Sequence, residues 1–353
     1  MPPDGIPRSD DTCSSNMARP CQIGFLGSIN HEEEDVKNLN EVTIPLNLAP
    51  DRTYQVVGFG ENAVDQVCRV PQFPKHDTKV QMEKMLMLGG GTIATACTVC
   101  ARYGLNTRYV GRVGDDENGS FARRELSAEP MDTVIEVVPM ASSHFSLIIV
   151  DRTTGGRTIL WERDPRLLYA EGELNPKALL EGQVMHLDGN DVTASIQAAT
   201  WAKESGMKVF LDVDKVQDNV GQLLSLVDFA IPSVEFVKNF SGKEDWREGL
   251  RMVKEYCRGL VVVTLGEEGS AVLWEDEINQ YKAFPMNTVD STGAGDVFHG
   301  AFIFGMFQGW SLARCMKFSN AAGGLACTRL GARSAIPTLE AVYELEKTYP
   351  DED

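Results

Sequence analysis

The stretch that decides the fold is VDSTGAGDVFHGAFIFG, residues 289–305. Two aspartates and two glycines fall within Asp290–Asp296, directly ahead of an apolar run with helical spacing. Glycine loses more backbone entropy on folding than other residues, so this density implies a need for bare backbone. Gly293, Ala294 and Gly295 are able to turn their N–H groups toward one point at a helix start, an anion-binding arrangement. A bound anion would repel a carboxylate at that same point, so Asp296 makes sense facing a hydroxyl group. It would take the hydroxyl proton as the oxygen attacks, while the amides hold charge on a transferred phosphoryl group. The competing structural reading is a glycine-rich turn with Asp296 as its N-cap.

The rest of the chain bounds these readings. Its 353 residues suffice for one large α/β domain or two average ones. A hydrophobic fraction of 43% and an aromatic fraction of 8% are those of a folded protein with a sizeable core. The formal net charge of −18 argues against a nucleic-acid surface, which would show basic clusters. No apolar run approaches bilayer length, and the first twenty residues lack the apolar core of a signal peptide, so no membrane partner and a cytoplasmic location are expected. The eight cysteines are scattered. Cys97 and Cys100 form a CxxC, but no second pair or nearby histidine completes a tetrahedral site, and two small buried residues on a helix are the simpler reading.

Residues 1–52, rich in Pro, Asp, Asn and Ser, read as a flexible or loosely docked extension. From Tyr54 onward short apolar strands alternate with helical segments: YQVVGFG, TRYVGRVG, QVMHLDG, KVFLDVD, FAIPS and GLVVVTLG supply strands. This rhythm predicts one α/β domain over 53–345, a doubly wound, mostly parallel sheet flanked by helices, with 346–353 as a tail. SHFSLIIVD and GRTILWERD, joined by RTTGG, read as a hairpin. With the segment 62–84, the hairpin at 141–166 predicts a small accessory β-sheet acting as a lid. The turn VVGFGENA, residues 56–63, matches a dinucleotide-binding GxGxxA. A helix should follow it, yet VDQVCRVPQFP alternates like a strand and meets two prolines, so the motif fails its context.

DSTGAGDVFHGAF closely resembles the C-terminal signature of the ribokinase-like (PfkB) carbohydrate kinases. LGGGTIATACTVCARYGLNTRYVGRVGDDENG, residues 88–119, resembles the family's N-terminal signature, and VVVTLGEEGSAVL, residues 261–273, its nucleotide-side strand and turn. The similarity spans residues 54–340. It implies transfer of the γ-phosphate of MgATP to a hydroxyl of a sugar or sugar derivative, with Asp296 as base and the amides of Gly293, Ala294 and Gly295 as anion hole. By the same resemblance Asp65, Gly90 and Gly91 would contact substrate hydroxyls. Thr264, Gly266 and Gly269 would line the nucleotide side and Asn320 approach the adenine. Glu235 would order Mg²⁺ through water, while Asp290, Thr292 and Gly331 match positions where relatives hold a monovalent cation by oxygen ligands, which suits K⁺. Dimerisation through the lid sheets is also expected.

Three departures from the family pattern stand out. Ala94 takes the place of a substrate-binding asparagine, Pro232 replaces the asparagine of an NxxE element that keeps Glu235, and GGGTIATA replaces a more polar loop of ribokinase itself. The diglycine turn looks most like the branch handling keto-sugars and acidic sugar derivatives. Arg157, Arg163, Lys75, His76 and Lys79 are candidates for meeting an acidic substituent, against a plain reading as solvated charge. His299, three residues beyond Asp296, reads as structural. His186, Asp212 and Asp214 fall at strand ends, where open α/β sheets bind ligands. A nucleoside kinase of the same fold, and a non-catalytic sugar- or nucleotide-binding relative, stay open as alternatives.

Overall fold

The structure, a computed structural model, describes residues 39–348. Strand β1 (Tyr54–Phe59) leads into β2 (Ala63–Val70), β3 (Lys84–Gly90), helix α1 (Thr92–Arg102), β4 (Thr107–Gly114), α2 (Glu117–Ser127) and β5 (Asp132–Val138). Strands β6 (Phe145–Asp151) and β7 (Arg157–Glu162) follow, then α3 (Pro176–Leu179), β8 (Gly182–Asp188), α4 (Val192–Glu204) and β9 (Lys208–Val213). The chain continues through α5 (Val220–Leu226), β10 (Phe229–Pro232), α6 (Val234–Ser241), α7 (Trp246–Tyr256), β11 (Leu260–Thr264), β12 (Ser270–Trp274) and β13 (Glu277–Tyr281). Helices α8 (Ala294–Phe307), α9 (Leu312–Ala326) and α10 (Leu339–Thr348) complete it.

Nine strands form the main sheet in the order β13-β12-β11-β10-β9-β8-β1-β4-β5. From β11 to β5 all neighbours are parallel, and β12 and β13 add an antiparallel edge. Successive side chains point to opposite faces, and both faces are apolar because helices cover both. Val56 packs in a core with Val99 of α1 and Phe302 of α8, while its neighbour Val57 packs with Met185, Ala198 of α4 and Val253 of α7. The doubly wound sheet expected from the strand–helix rhythm is therefore present. Since the two faces are sealed, the sheet's carboxyl edge is what remains open to a ligand.

A second sheet of four strands, β3-β2-β6-β7, forms the accessory layer. Its β6–β7 hairpin is antiparallel, whereas β2 and β6 run parallel. The first lid segment does not stop at residue 84: β3 runs on to Gly90, so the diglycine belongs to this sheet. Every residue of β7 is exposed, including Leu160 and Trp161.

Part of the expected extension is packed. Leu39, Val42 and Leu46 are buried in the core shared with α9 and α10. The carbonyls of Val42 and Leu39 accept hydrogen bonds from Leu312 and Ala313 at 2.8 and 3.3 Å. These are first-turn amides of α9, which no intrahelical partner satisfies. The packed core thus includes residues from Leu39 onward, ahead of the expected start at 53, and α10 runs to Thr348, past the expected start of the tail at 346. The remainder of the expected extension (1–38) and tail (349–353) lies outside the described residues.

Candidate active site

The loop ahead of α8 folds as its glycines require. Gly293 is the helix N-cap at φ +78°, a left-handed conformation that favours glycine, and an added Cβ would stand 2.5 Å from that of Ala332. Among the described residues the N–H groups of Gly293 and Gly295 have no acceptor. Ala294 instead donates back to Ser291 O at 3.4 Å, so its amide is partly turned into the loop. A Cβ on Gly295 would meet nothing within 4 Å, which leaves open space in front of the helix N-terminus. Asp296 lies in the first turn and is no N-cap; that position belongs to Gly293.

Asp290 organises the loop from below. It is fully buried; its Oδ1 accepts from Thr292 N and Oγ1 at 2.9 and 2.6 Å, and its Oδ2 accepts from Gly331 N at 2.8 Å. Asp290, Thr292 and Gly331, separate in the chain, are thus one hydrogen-bonded unit. No basic side chain among the described residues forms an ion pair with Asp290.

Carboxylates gather around Asp296 from the ends of several strands. Burial and the charges of Glu61, Asp65 and Asp214 push Asp296 up to about 8, with Arg157 acting the other way. Asp65, on β2, is buried and pushed up to about 6 by burial and by Glu61, against Arg333 and His144. Asp188 ends β8, accepts from Glu61 N at 2.7 Å and from Asn190 N at 3.0 Å, and is also pushed up to about 6 by burial and Glu61. Burial opposes ionisation of Glu61 as well, but His144 Nδ1, 3.1 Å away, and the charges of Arg163 and Lys215 outweigh it and lower its pKa. The concentration of like charge at one cleft is what a cation and its ligands would relieve. Among the described residues no set of three metal-binding side chains forms a cage.

The two buried histidines sit behind this rim. His299 Nε2 is 3.2 Å from Asp212 Oδ2, and its ring stacks on His186 with centroids 5.3 Å apart. Burial holds His186 at about 4 and His299 well below its ordinary range. Burial, then Asp296 nearby, raises Asp212 well above its usual range. His299 thus packs against Asp212 and His186 behind the start of α8.

A family model described as pfkB family carbohydrate kinase matches residues 54–339. The chain belongs to the pfkB family of carbohydrate kinases. Ribokinase from Haemophilus influenzae is 26% identical over 300 residues, covering 81% of this chain and 96% of the relative. A nucleoside kinase from Methanothermobacter thermautotrophicus is 23% identical over 293 residues, covering 81% and 94%. Among solved structures, a candidate ribokinase from Agrobacterium tumefaciens superposes with a TM-score of 0.79 at 26% identity, covering 85% of this chain and 99% of the other. The protein is an ATP-dependent carbohydrate kinase of the ribokinase-like fold.

Within this pfkB chain the residues singled out from sequence fall into distinct groups. Asp65, Gly90 and Gly91 meet where β2 and β3 lead into α1: a Cβ on Gly90 would stand 2.0 Å from Asp65 Oδ2. Arg163 donates to Asn190 O at 2.8 Å at the cleft. Arg157 reaches from β7 to the hydroxyl of Ser291 in the anion loop. Lys75, His76 and Lys79 are exposed on the β2–β3 connection, as the solvated reading has it. Thr264 ends β11, Gly266 and Gly269 bound the turn into β12, and Glu235 is exposed in the first turn of α6. Asn320 donates through Nδ2 to Tyr281 O and Lys282 O at 2.9 and 3.3 Å, so its amide nitrogen ties down the end of β13.

Both replaced asparagines sit in apolar surroundings: Ala94 is wholly buried in α1, and Pro232 ends β10 in register with Val213. Cys97 and Cys100 are buried free thiols whose pKa values are raised by burial. After β1 the chain enters β2, not a helix, and the GFGENA turn closes on Asp188. Sequence reasoning passed over Glu61, Asn62, His144, Lys215 and Arg333. Glu61 and Asn62 lay in plain view in GFGENA, but the rejected dinucleotide motif absorbed that turn. Arg333 had no local signal, because its contact with Asn62 Oδ1 at 3.1 Å spans 271 positions of chain.

Proposed function

We propose that the chain phosphorylates a hydroxyl of a small sugar-like substrate, with Asp296 as general base. The observation that carries this reading is the start of α8: free N–H groups at Gly293 and Gly295, and the Asp296 carboxyl in the same turn. Phosphoryl transfer asks the protein chiefly for positioning and charge stabilisation. The amides hold the transferring oxygens, and Asp296 accepts the proton of the attacking hydroxyl. Asp65 and the Gly90–Gly91 turn orient the acceptor. Thr264, Gly266 and Gly269 line the nucleotide side, with Asn320 close to it. Glu235 would hold Mg²⁺ through water, where the ion neutralises phosphate charge, and Asp290, Thr292 and Gly331 would hold K⁺ under the loop. The exposed apolar strand β7 supports pairing of lid sheets in a homodimer.

Release of ADP from MgATP, measured across sugars, nucleosides and acidic sugar derivatives with K⁺ present, tests this reading. Turnover on one class, lowered at least about 10²-fold in Asp296→Asn, is the expected result. Turnover that survives the substitution would remove Asp296 as base. A preference for adenosine over every hexose and pentose would establish the nucleoside-kinase alternative instead.

A further inference from the structure

The chain carries 51 acidic against 33 basic residues, and several of its arginines are held by carboxylates. Arg108 pairs with Asp132 and Glu181, Arg112 with Glu136 and Glu173, and Arg102 with Glu129. Two cations at the cleft behave differently. Among the described residues neither Arg163 nor Lys215 has a carboxylate within ion-pair distance. Arg163 spends one N–H on the carbonyl of Asn190, and Lys215 lies over the ring of Trp161, 4.2 Å from its centroid. Both line one open cleft of about 550 Å³ with Trp161, Asn190, Asp214 and Asn239, a volume in the range of small-molecule sites.

Resting on the kinase reading above, we propose that Arg163 and Lys215 form an anion subsite of the acceptor pocket, so that the preferred substrate is a sugar derivative bearing an anionic group. Carboxylate, sulfonate and phosphate share the chemistry that these residues recognise. Arg163 offers a planar fork with N–H groups left over, and Lys215 a point charge already stacked and partly ordered by Trp161. The two approach from different layers, Arg163 from the end of the lid strand β7 and Lys215 from the loop after β9. A ligand anion between them would therefore also draw the lid toward the main sheet. Both cations act at longer range on the buried Glu61 carboxylate, which His144 Nδ1 also holds at 3.1 Å, and Lys215 acts on Asp214 as well. A ligand anion would meet the N–H groups that these carboxylates leave unused.

The nucleotide's own phosphates are the other possible source of that anion, and kinetics separates the two. The test compares kcat/KM for matched pairs, fructose with fructose 6-phosphate and ribose with ribose 5-phosphate, together with glucose against gluconate, at fixed saturating MgATP. The native protein should favour the anionic member by about ten- to hundredfold, as one or two charge-assisted hydrogen bonds allow. That ratio should fall about tenfold or more in Arg163→Gln and in Lys215→Gln, less in Arg163→Lys, and should shrink with added salt. A preference for neutral members that neither substitution alters would overturn the inference and leave the kinase reading standing. A rise in KM for MgATP with the acceptor ratio intact would overturn it too, by assigning both cations to the nucleotide. If no compound turns over, the kinase reading fails, and calorimetric titration of the same pairs without nucleotide decides the subsite. Tighter binding of anionic members, lost in the two variants of unchanged melting temperature, supports it; equal binding removes it.

Discussion

A Cβ on Gly90 would stand 2.0 Å from Asp65 Oδ2, so the lid strand β3 and the Asp65 carboxylate on β2 are built against each other. The two residues are cross-strand neighbours, Asp65 pairing with Leu88 and Ala63 with Gly90. Gly90→Ala must displace either the strand or the carboxylate. We expect KM for the acceptor to rise at least about tenfold while KM for MgATP stays put, because small misplacements at a reacting site are costly. Steady-state kinetics with each substrate varied in turn checks this.

Gly293→Ala combines two penalties, a methyl group in left-handed backbone and a clash with Ala332. Loss of a correctly aimed amide at an oxyanion site typically lowers kcat by about 10²–10³. We expect a fall of that size together with a lowered melting temperature. Gly295→Ala, which meets open space, should keep its stability yet lose activity by crowding the transferring group.

Asp296 must be ionised to accept a proton, and in the free protein burial and neighbouring carboxylates push it up to about 8. The rate with limiting substrate should therefore rise with pH and level off above about 8. Removing one like charge by Asp214→Asn should move that limb to lower pH. A pH profile of kcat/KM for the two proteins measures it, and an unmoved limb would show that another group sets it.

The same shift has a consequence for stability. A carboxyl group whose pKa is higher folded than unfolded binds more protons in the folded state between its ordinary value and about 8, so stability falls as pH rises through that window. Asp65 and Asp188, both pushed up to about 6, act in the same direction at lower pH. Asp296→Asn should accordingly raise the melting temperature, by about 2 °C or more at pH 8 and hardly at all near pH 4. Thermal denaturation across pH, without nucleotide, decides it.

Replacing Leu39, Val42 and Leu46 together with alanine removes three buried side chains from the α9–α10 face. Each buried aliphatic is worth about 1.5–3 kcal/mol. A melting temperature lowered by several degrees, with KM for both substrates unchanged, is the expected outcome.

The main architecture was legible because periodicity reports it. Buried parallel strands read as short apolar runs, helices as 3.6-residue stripes, and the TGAGD loop as bare backbone before a helix. Less visible was the packing of Leu39, Val42 and Leu46, since three apolar residues in a polar stretch carry no period. The run of the lid strand β3 on to Gly90 was lost for a related reason: KMLMLGG has no clear period of its own and is set as a strand by pairing with β2 in the smaller sheet.

By itself the sequence determined the alternating α/β order, the place of α8, and the presence of a carboxyl group one turn inside a glycine-rich helix start, because these follow from local pattern and backbone sterics. Only the tertiary structure decided what surrounds that group. Glu61, Asp65, Asp188, Asp212 and Asp214 come from the β1–β2 turn, β2, β8 and the end of β9 and meet at one edge, where shared burial and charge, not spacing in the chain, shift their pKa values. Arg163 and Lys215 likewise become neighbours only when the lid sheet folds over the main one. Coulombic interactions act through space, and a linear order of residues does not contain those distances.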